Sequence, residues 1–343
     1  MMNDIKGFTS PLWPIHFKPL PDELLSSWLV RLAHSHGLKV QTFCILLFGN
    51  TRQLWNRDID RLAPDWLLQA LSDRTGTPVE EIFQSTLRSY EGWFYPKMRT
   101  SSTLQWITAL KLHHRQFEGY GIQFCPQCLR KDDEPYFRKQ WRVAFNTICP
   151  QHNCMLHDRC QNCGAGVAFH RRDIGRKDFL EITSLAICHH CGFSLQNSNR
   201  KEINTHSQEL RKWLQRLYAT AGLSSTRAGI IDCKSFNVFR QFVMLITSRN
   251  KTVRLYEFIC TALGISGADL QKGKLPFEAQ SIEGRHHLIQ LAGWLLIDLD
   301  SRLDLAWRAK ALKYNHMIKD LEDPSSSYIT LIKKFSNWRQ RNG

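Results

Sequence analysis

Apolar positions along this 343-residue chain recur mainly at helical spacing. In residues 24–32 they fall at i, i+1, i+4, i+5 and i+8, which predicts a helix that begins near Pro21 and stops at Gly37. The same pattern returns in residues 40–47 after almost no loop. Two short helices joined this tightly must cross at a steep angle, so the segment is helix-turn-helix-like.

Residues 64–86 repeat this plan. The first helix is predicted to end at Gly76, and Thr77 to Glu80 have the pattern of a capping box with Pro78 at the first helical position. A DNA-reading role would place the second helix in a major groove. Its polar face carries Glu80, Glu81 and Gln84, and the two carboxylates would repel phosphate. Simple helical packing or a protein-docking face is therefore favoured over DNA reading at this position.

The remaining pattern predicts a helix over residues 104–114, a short strand over residues 141–145, and helices throughout residues 205–343. A polar stretch from residue 194 to residue 207 reads as a linker into that last region. Residues 301–321 are also predicted to be helical. The chain lacks a G-x-x-x-x-G-K-[ST] loop, a G-x-G-x-x-G motif, a G-x-S-x-G motif and an H-E-x-x-H motif.

The densest chemistry lies between residues 125 and 191, where four ligand pairs are spaced as in zinc knuckles. A C-x₂-C pair is followed by a C-x₂-H pair, and a second C-x₂-C pair is followed by a third. Two knuckles together form one closed tetrahedral site. We therefore predict two structural Zn²⁺ ions, the first held by Cys125, Cys128, Cys149 and His152 and the second by Cys160, Cys163, Cys188 and Cys191.

One ligand choice stays open at this point, because Cys154 and His157 form a competing C-x₂-H pair for the first site. Disulfides are the other alternative for these cysteines. They require an oxidising compartment, and no secretory hydrophobic region is seen at the N-terminus, so we expect a cytoplasmic protein with reduced thiols. Cys44, Cys233 and Cys260 lie in apolar periodic segments and are predicted to be small core residues.

The charge of the chain suggests a polyanionic partner. The formal net charge is +15, and residues 201–343 hold 22 basic against 13 acidic side chains. Such an excess favours nucleic acid through counterion release. No apolar run approaches the length of a membrane helix. The candidate phosphate contacts, which could equally be solvated side chains, are Arg171, Arg172, Arg176, Lys177, Arg308, Lys310 and Lys313.

Several stretches resemble the TniQ/TnsD family, the target-selection subunits of heteromeric bacterial transposons. They are residues 20–33 (LPDELLSSWLVRLA), residues 86–92 (TLRSYEG), and the zinc region with FCPxC, the acidic Asp132-Asp133-Glu134, Arg138, Trp141-Arg142, CPxH and CxxCG. The resemblance is specific over about residues 18–195 and is only general helical character beyond. It implies an adaptor that binds an AAA+ ATPase regulator and DNA. In some branches an RNA-guided CRISPR effector complex replaces direct DNA reading, and dimers occur.

These observations predict a mainly α fold with small zinc-ribbon β elements. The expected segments are an N-terminal arm (1–19), a helix-turn-helix-like domain (20–124), a double zinc-binding module (125–195) and a helical C-terminal domain (205–343). The favoured function is non-enzymatic target selection for transposition. A zinc-containing transcription regulator is an alternative, and a metal-dependent nuclease is disfavoured because saturated ligand sets leave no place for a catalytic water.

Overall fold

The computed structural model describes residues 12–49, 54–100, 103–110, 112–113, 116–117, 120–175, 184–222, 233–266, 275–319, 321 and 323–336. Within these residues the chain is mainly helical, as predicted, and its sheets are two antiparallel pairs of very short strands. The residues group into two compact units, each assembled from three stretches of sequence. The first is 1–89, 110–142 and 157–199, and the second is 90–109, 143–156 and 200–343. Our segment boundaries at residues 20, 125 and 205 remain a prediction.

Six α-helices belong to the first unit: α1 (Leu25–Ser35), α2 (Val40–Phe48), α3 (Ile59–Leu62), α4 (Asp65–Thr75), α5 (Val79–Gln84) and α6 (Pro126–Lys131). Seven belong to the second: α7 (Gln208–Gly222), α8 (Cys233–Ile246), α9 (Leu255–Leu263), α10 (Ile282–Ile297), α11 (Leu299–Arg308), α12 (Tyr314–Ile318) and α13 (Ser326–Lys333). Strands β1 (Leu112–His113) and β2 (Gln116–Phe117) pair in the first unit, and β3 (Ile148–Cys149) and β4 (Cys154–Met155) pair in the second. Among the described helices we find none with the length and hydropathy needed to span a bilayer.

The core of the first unit forms around α1. Its apolar stripe is fully buried, and the indole of Trp28 also donates a hydrogen bond of 3.0 Å to the carbonyl oxygen of Phe17. The described part of the predicted N-terminal arm joins this core, because Trp13 is buried and its ring meets the ring of Phe43 edge to face. The first eleven residues lie outside the described part of the chain.

The α4–α5 pair confirms the helix, turn, helix pattern read from residues 64–86. Gly76 ends α4 with φ of 68°, a left-handed conformation that glycine adopts without steric cost. The predicted capping box is wrong, since the residue that precedes α5 is Pro78 and it makes no side-chain cap. The Thr77 hydroxyl lies 3.0 Å from that of Thr75 instead, within the turn.

The second unit has an aromatic centre beside its helices. The ring of Trp106 contacts the rings of Phe145, Phe236, Phe239 and Phe277 at centroid distances of 4.7 to 6.2 Å. Arg285 is buried here and donates to the carbonyl oxygens of Ala144 and Gln280. Helix α10 packs against α7 and α8 around this centre.

Three predicted elements differ in the structure. Residues 104–110 form no helix, because Gln105 and Trp106 form a turn in which Trp106 takes φ of 63°, and Ile107 then makes a β-bridge to Val143. The predicted strand at 141–145 is replaced by a 3₁₀ helix over Lys139–Arg142 and this single bridge. The predicted helix over 301–321 breaks into α11 and α12, since Lys310 adopts φ of 56° and the buried Ala311 and Leu312 form the connection.

Candidate metal centres

The first candidate centre brings together the side chains of Cys125, Cys128, Cys149 and His152. Cys125 immediately precedes α6 and Cys128 lies in its first turn. Cys149 ends β3, and His152 lies in the tight turn before β4, where Asn153 takes φ of 46°. One ligand atom from each residue lies within 4.8 Å of the others. The hairpin thus presents a thiol and an imidazole from one side of a short turn.

The second candidate centre joins Cys160, Cys163, Cys188 and Cys191 in the same way. Each C-x₂-C pair closes on itself, because the amide of Gly164 donates to the Cys160 carbonyl and that of Gly192 to the Cys188 carbonyl. Both glycines have positive φ, 72° and 76°, and a Cβ there would meet no atom within 4 Å. Glycine is therefore required by the backbone conformation of the knuckle, and not by crowding.

The distances within each cluster fit a tetrahedral zinc ion. Zn–S bonds of about 2.3 Å and Zn–N bonds of about 2.05 Å place two sulfurs about 3.8 Å apart and a sulfur and a nitrogen about 3.6 Å apart. The Sγ atoms of Cys160 and Cys191, and those of Cys163 and Cys188, are 3.7 Å apart. Cys149 Sγ lies 3.6 Å from His152 Nδ1. The donor sets therefore match the size and chemistry of Zn²⁺, and the described cysteines form no disulfide.

Without a metal ion the thiols of the second cluster have unequal acidity. Burial raises the pKa of the Cys188 thiol to about 12. Burial also acts to raise the pKa of Cys191, but hydrogen bonds from the Asn162 side chain and the Phe193 amide outweigh it and hold the value at about 6. A bound dication would keep all four sulfurs as thiolates, since a coordinating thiol loses its proton.

The competing pair Cys154 and His157 is not among the four side chains that converge in the first cluster. Cys154 begins β4, directly opposite Cys149 in the pairing of β3 and β4. His157 exchanges backbone hydrogen bonds of 2.8 and 2.9 Å with Phe124, and its ring stacks on the ring of that residue. The geometry therefore favours His152 as the fourth ligand. Of the three cysteines predicted to be core residues, Cys44 and Cys260 are buried, and the Cys233 side chain lies outside the described part of the chain.

The predicted phosphate contacts are scattered. Arg171 is half-buried, whereas Arg172 is 3% exposed and donates to the Ser184 carbonyl at 2.6 Å, so Arg172 serves the fold. Arg176 and Lys177 lie outside the described residues. The remaining three candidates, Arg308, Lys310 and Lys313, are exposed, and Arg308 pairs with Asp304 at 2.7 Å.

The stretches that carried the family resemblance meet inside the first unit. The amide of Leu24 donates to the Phe137 carbonyl, and that of Lys139 to the Asp22 carbonyl. The ammonium of Lys139 is buried and donates to the Gln84 carbonyl at 2.5 Å and to the Ser89 hydroxyl at 2.9 Å. Burial lowers the pKa of Lys139 to about 8 and, against the attraction of that ammonium, raises the pKa of Asp22 to about 6. These motif residues therefore hold three separate stretches together.

Two buried arginines reinforce the same unit, and sequence reasoning missed their partners. The Arg142 side chain is fully buried and pairs with Asp58 at 2.6 Å and with Asp60 at 3.3 Å. Arg31 pairs with Glu23 at 2.7 Å and with Glu134 at 2.6 Å. Arg142 and Asp58 are 84 residues apart in the sequence, and Arg31 and Glu134 are 103 residues apart. No local sequence pattern indicates pairs at such distances.

In a comparison with protein families, residues 14–156 match the family model described as TniQ. The matched range contains all three meeting stretches and every ligand of the first candidate centre, and it ends before Cys160. No curated protein matches the chain.

Proposed function

The chain belongs to the TniQ family through its residues 14–156, and from this premise we propose that the protein is a non-enzymatic target-selection adaptor for a heteromeric bacterial transposon. A TniQ domain implies a role in choosing the site of transposition. In this role the adaptor would link a DNA target to an AAA+ ATPase regulator and the transposase. It reaches that target directly or through an RNA-guided CRISPR effector complex, and it acts as a monomer or a homodimer.

The family domain is the observation that carries the proposal, and the ligand geometry supports its non-enzymatic part. Each candidate centre offers four ligands at distances that suit a closed tetrahedron. Catalytic zinc keeps one coordination position for water or substrate, whereas a closed set contributes folding free energy. When bound, the two ions would supply structure, because each closed set holds the side chains of two knuckles together.

We assign the α4–α5 pair to packing within the first unit or to contact with a protein partner. Glu80 is exposed in the first turn of α5, and Glu81 forms a salt bridge of 3.1 Å with Lys18. An acidic helix start disfavours phosphate. DNA contact is therefore assigned to the basic second unit, where Arg308, Lys310 and Lys313 are exposed.

The decisive experiment is affinity purification of the tagged full-length protein from its native host, followed by mass spectrometry. We expect an AAA+ ATPase to co-purify, and treatment with nuclease should leave that contact intact. A transcription regulator would instead retain RNA polymerase and no AAA+ ATPase, which would refute target selection.

The nuclease alternative has its own test. Purified protein incubated with supercoiled plasmid and Mg²⁺ should leave the plasmid intact. Cys188→Ser serves as the control, because nicking that persists unchanged in this variant comes from contamination. Metal-dependent nicking that disappears in the variant would establish an enzyme and overturn the adaptor assignment.

A further inference from the structure

A large cleft lies within the second unit, and none of its described lining residues is a ligand of a candidate metal centre. It has a volume of about 880 Å³, near the upper end of the range of roughly 300–1,000 Å³ for ligand sites. Its walls come from residues 95–99 and 103–105, from α8 with the loop that follows it, from residues 275–277, and from the end of α12.

The charge of the lining is all of one sign. Five cationic side chains face the cleft, and no aspartate or glutamate is among its described lining residues. One of the five, Arg240, is half-buried and pairs with Glu278. Lys97, Arg249 and Lys319 are exposed, and none of them forms an ion pair with a described carboxylate. The fifth cation is Arg99. The cleft therefore keeps a positive excess available to an anion.

The walls are fixed by buried hydrogen bonds. Gln241 is 6% exposed, and its amide donates to the carbonyl oxygens of His316 and Lys319 at 3.0 and 2.8 Å. These two hydrogen bonds hold α8 against the end of α12 and fix the backbone of Lys319. On the other wall, the amide of Gln105 donates to the Asn237 side chain at 3.0 Å. The cleft is thus a built surface between packed elements.

The lining favours phosphates over bases. Its phenol and phenyl rings are those of Tyr95 and Phe277, which are 1% and 2% exposed and offer no face for a base, and its remaining described ring is the half-buried imidazole of His316. Single-strand binders with base contact rely on such exposed rings. Burial and the neighbouring ammonium groups of Lys313 and Lys319 lower the pKa of His316 at the same wall, as expected where positive charge accumulates.

We propose that this cleft binds the sugar–phosphate backbone of duplex DNA, through Lys97, Arg249 and Lys319 together with Arg99. The inference rests on the proposed function, which requires a nucleic-acid contact, and it names the surface that makes it. Because these cations lie on separate walls of the cleft, they can contact successive phosphates along one strand. Contact through phosphate alone gives binding with little sequence preference.

The test measures binding of the full-length protein to a short labelled duplex by fluorescence anisotropy over a series of salt concentrations. The slope of log affinity against log salt is about −0.9 for each phosphate neutralised. The triple variant Lys97→Gln/Arg249→Gln/Lys319→Gln should therefore bind more weakly, with a slope reduced in magnitude by about 2 to 3. The matched control Arg211→Gln/Lys212→Gln/Lys333→Gln removes the same charge from exposed positions on α7 and α13 and should keep the wild-type slope.

Three outcomes would overturn the cleft assignment. The first is a wild-type slope in the cleft variant. The second is an equal reduction in the control variant, which would show that the charge acts diffusely. The third is competition by inorganic phosphate at constant ionic strength, which would make the cleft a small-anion site. Far-ultraviolet circular dichroism of both variants checks that the fold is kept.

The same data separate the cleft from the proposed function. Protein that captures an AAA+ ATPase but binds duplex without any contribution from the cleft, or binds no duplex at all, refutes the cleft assignment and leaves the regulator contact standing. Protein that binds duplex through the cleft and captures no AAA+ ATPase keeps the cleft and refutes target selection.

Discussion

At the scale of single residues, Trp28 belongs to the apolar stripe predicted from the sequence, and its burial stabilises the folded protein. Its side chain has no exposed surface, and its indole nitrogen is satisfied by the Phe17 carbonyl. Replacement by alanine should lower the free energy of unfolding by about 3–5 kcal/mol, through lost burial and the cavity left behind. Chemical denaturation measures this. Leu46→Ala is the control, since Leu46 is 68% exposed and should change little. A near-neutral Trp28→Ala would show that this stripe faces a partner.

The choice between two histidines is a second residue-scale prediction. His152→Ala should reduce the zinc content by one ion per chain, because its Nδ1 lies 3.6 Å from Cys149 Sγ within the ligand cluster. His157→Ala should keep the full zinc content while losing the stack on Phe124. Metal analysis of the two purified variants decides. The reverse result, with zinc lost only from His157→Ala, would assign the first site to the competing pair.

Residue spacing predicted eight ligand side chains, and these same side chains form the two clusters. Spacing carries this information because a knuckle is a local motif whose two side chains are three positions apart. The order of the knuckles along the chain also predicted which of them pair, and the clusters contain those same pairs. Spacing could not indicate the partners of Arg142 or the cations of the cleft. Lys97, Arg249 and Lys319 are separated by more than half the chain and share no recognisable pattern.

At the scale of elements, the contact of α10 with α7 depends on a missing side chain. A Cβ built on Gly293 would lie 2.5 Å from the ring of Trp213, closer than side chains approach one another. Gly293→Ala should therefore destabilise the protein by about 1–3 kcal/mol, despite the better helix propensity of alanine. Thermal unfolding measures the change. Gly284→Ala in the same helix is the control, because its nearest neighbour is the Ser281 hydroxyl at 3.2 Å. Equal stability of the two variants would contradict this packing account.

Helices that end at a residue with a local stop signal were predicted correctly, whereas elements whose ends are determined by tertiary contacts were not. Gly76 terminates α4 through its own backbone preference, which is visible in the sequence. The break between α11 and α12 contains neither glycine nor proline, and it arises where Ala311 and Leu312 turn inward. Residues 104–110 likewise have helical spacing, but the bridge of Ile107 to Val143 and the burial of Trp106 among four phenylalanine rings determine their conformation.

At the scale of the whole molecule, the sequence predicted a mainly helical protein with two cysteine-rich centres, and the structure agrees. It did not indicate that each compact unit draws on three stretches of the chain. Periodicity reports which face of an element is buried and says nothing of its partner. The family match covers the stretches whose motifs meet around Asp22 and Lys139, so those motifs have a structural explanation in this chain.

We infer that eight side chains form two closed metal sites, and the number of zinc ions per folded chain measures whether they do. Mass spectrometry of the metals in purified full-length protein should give two zinc ions per wild-type chain. Cys125→Ser and Cys188→Ser should each retain one, and Cys44→Ser should retain both, because Cys44 is buried away from the clusters beside Trp55. A well-folded wild-type protein with one zinc ion or none would contradict the account.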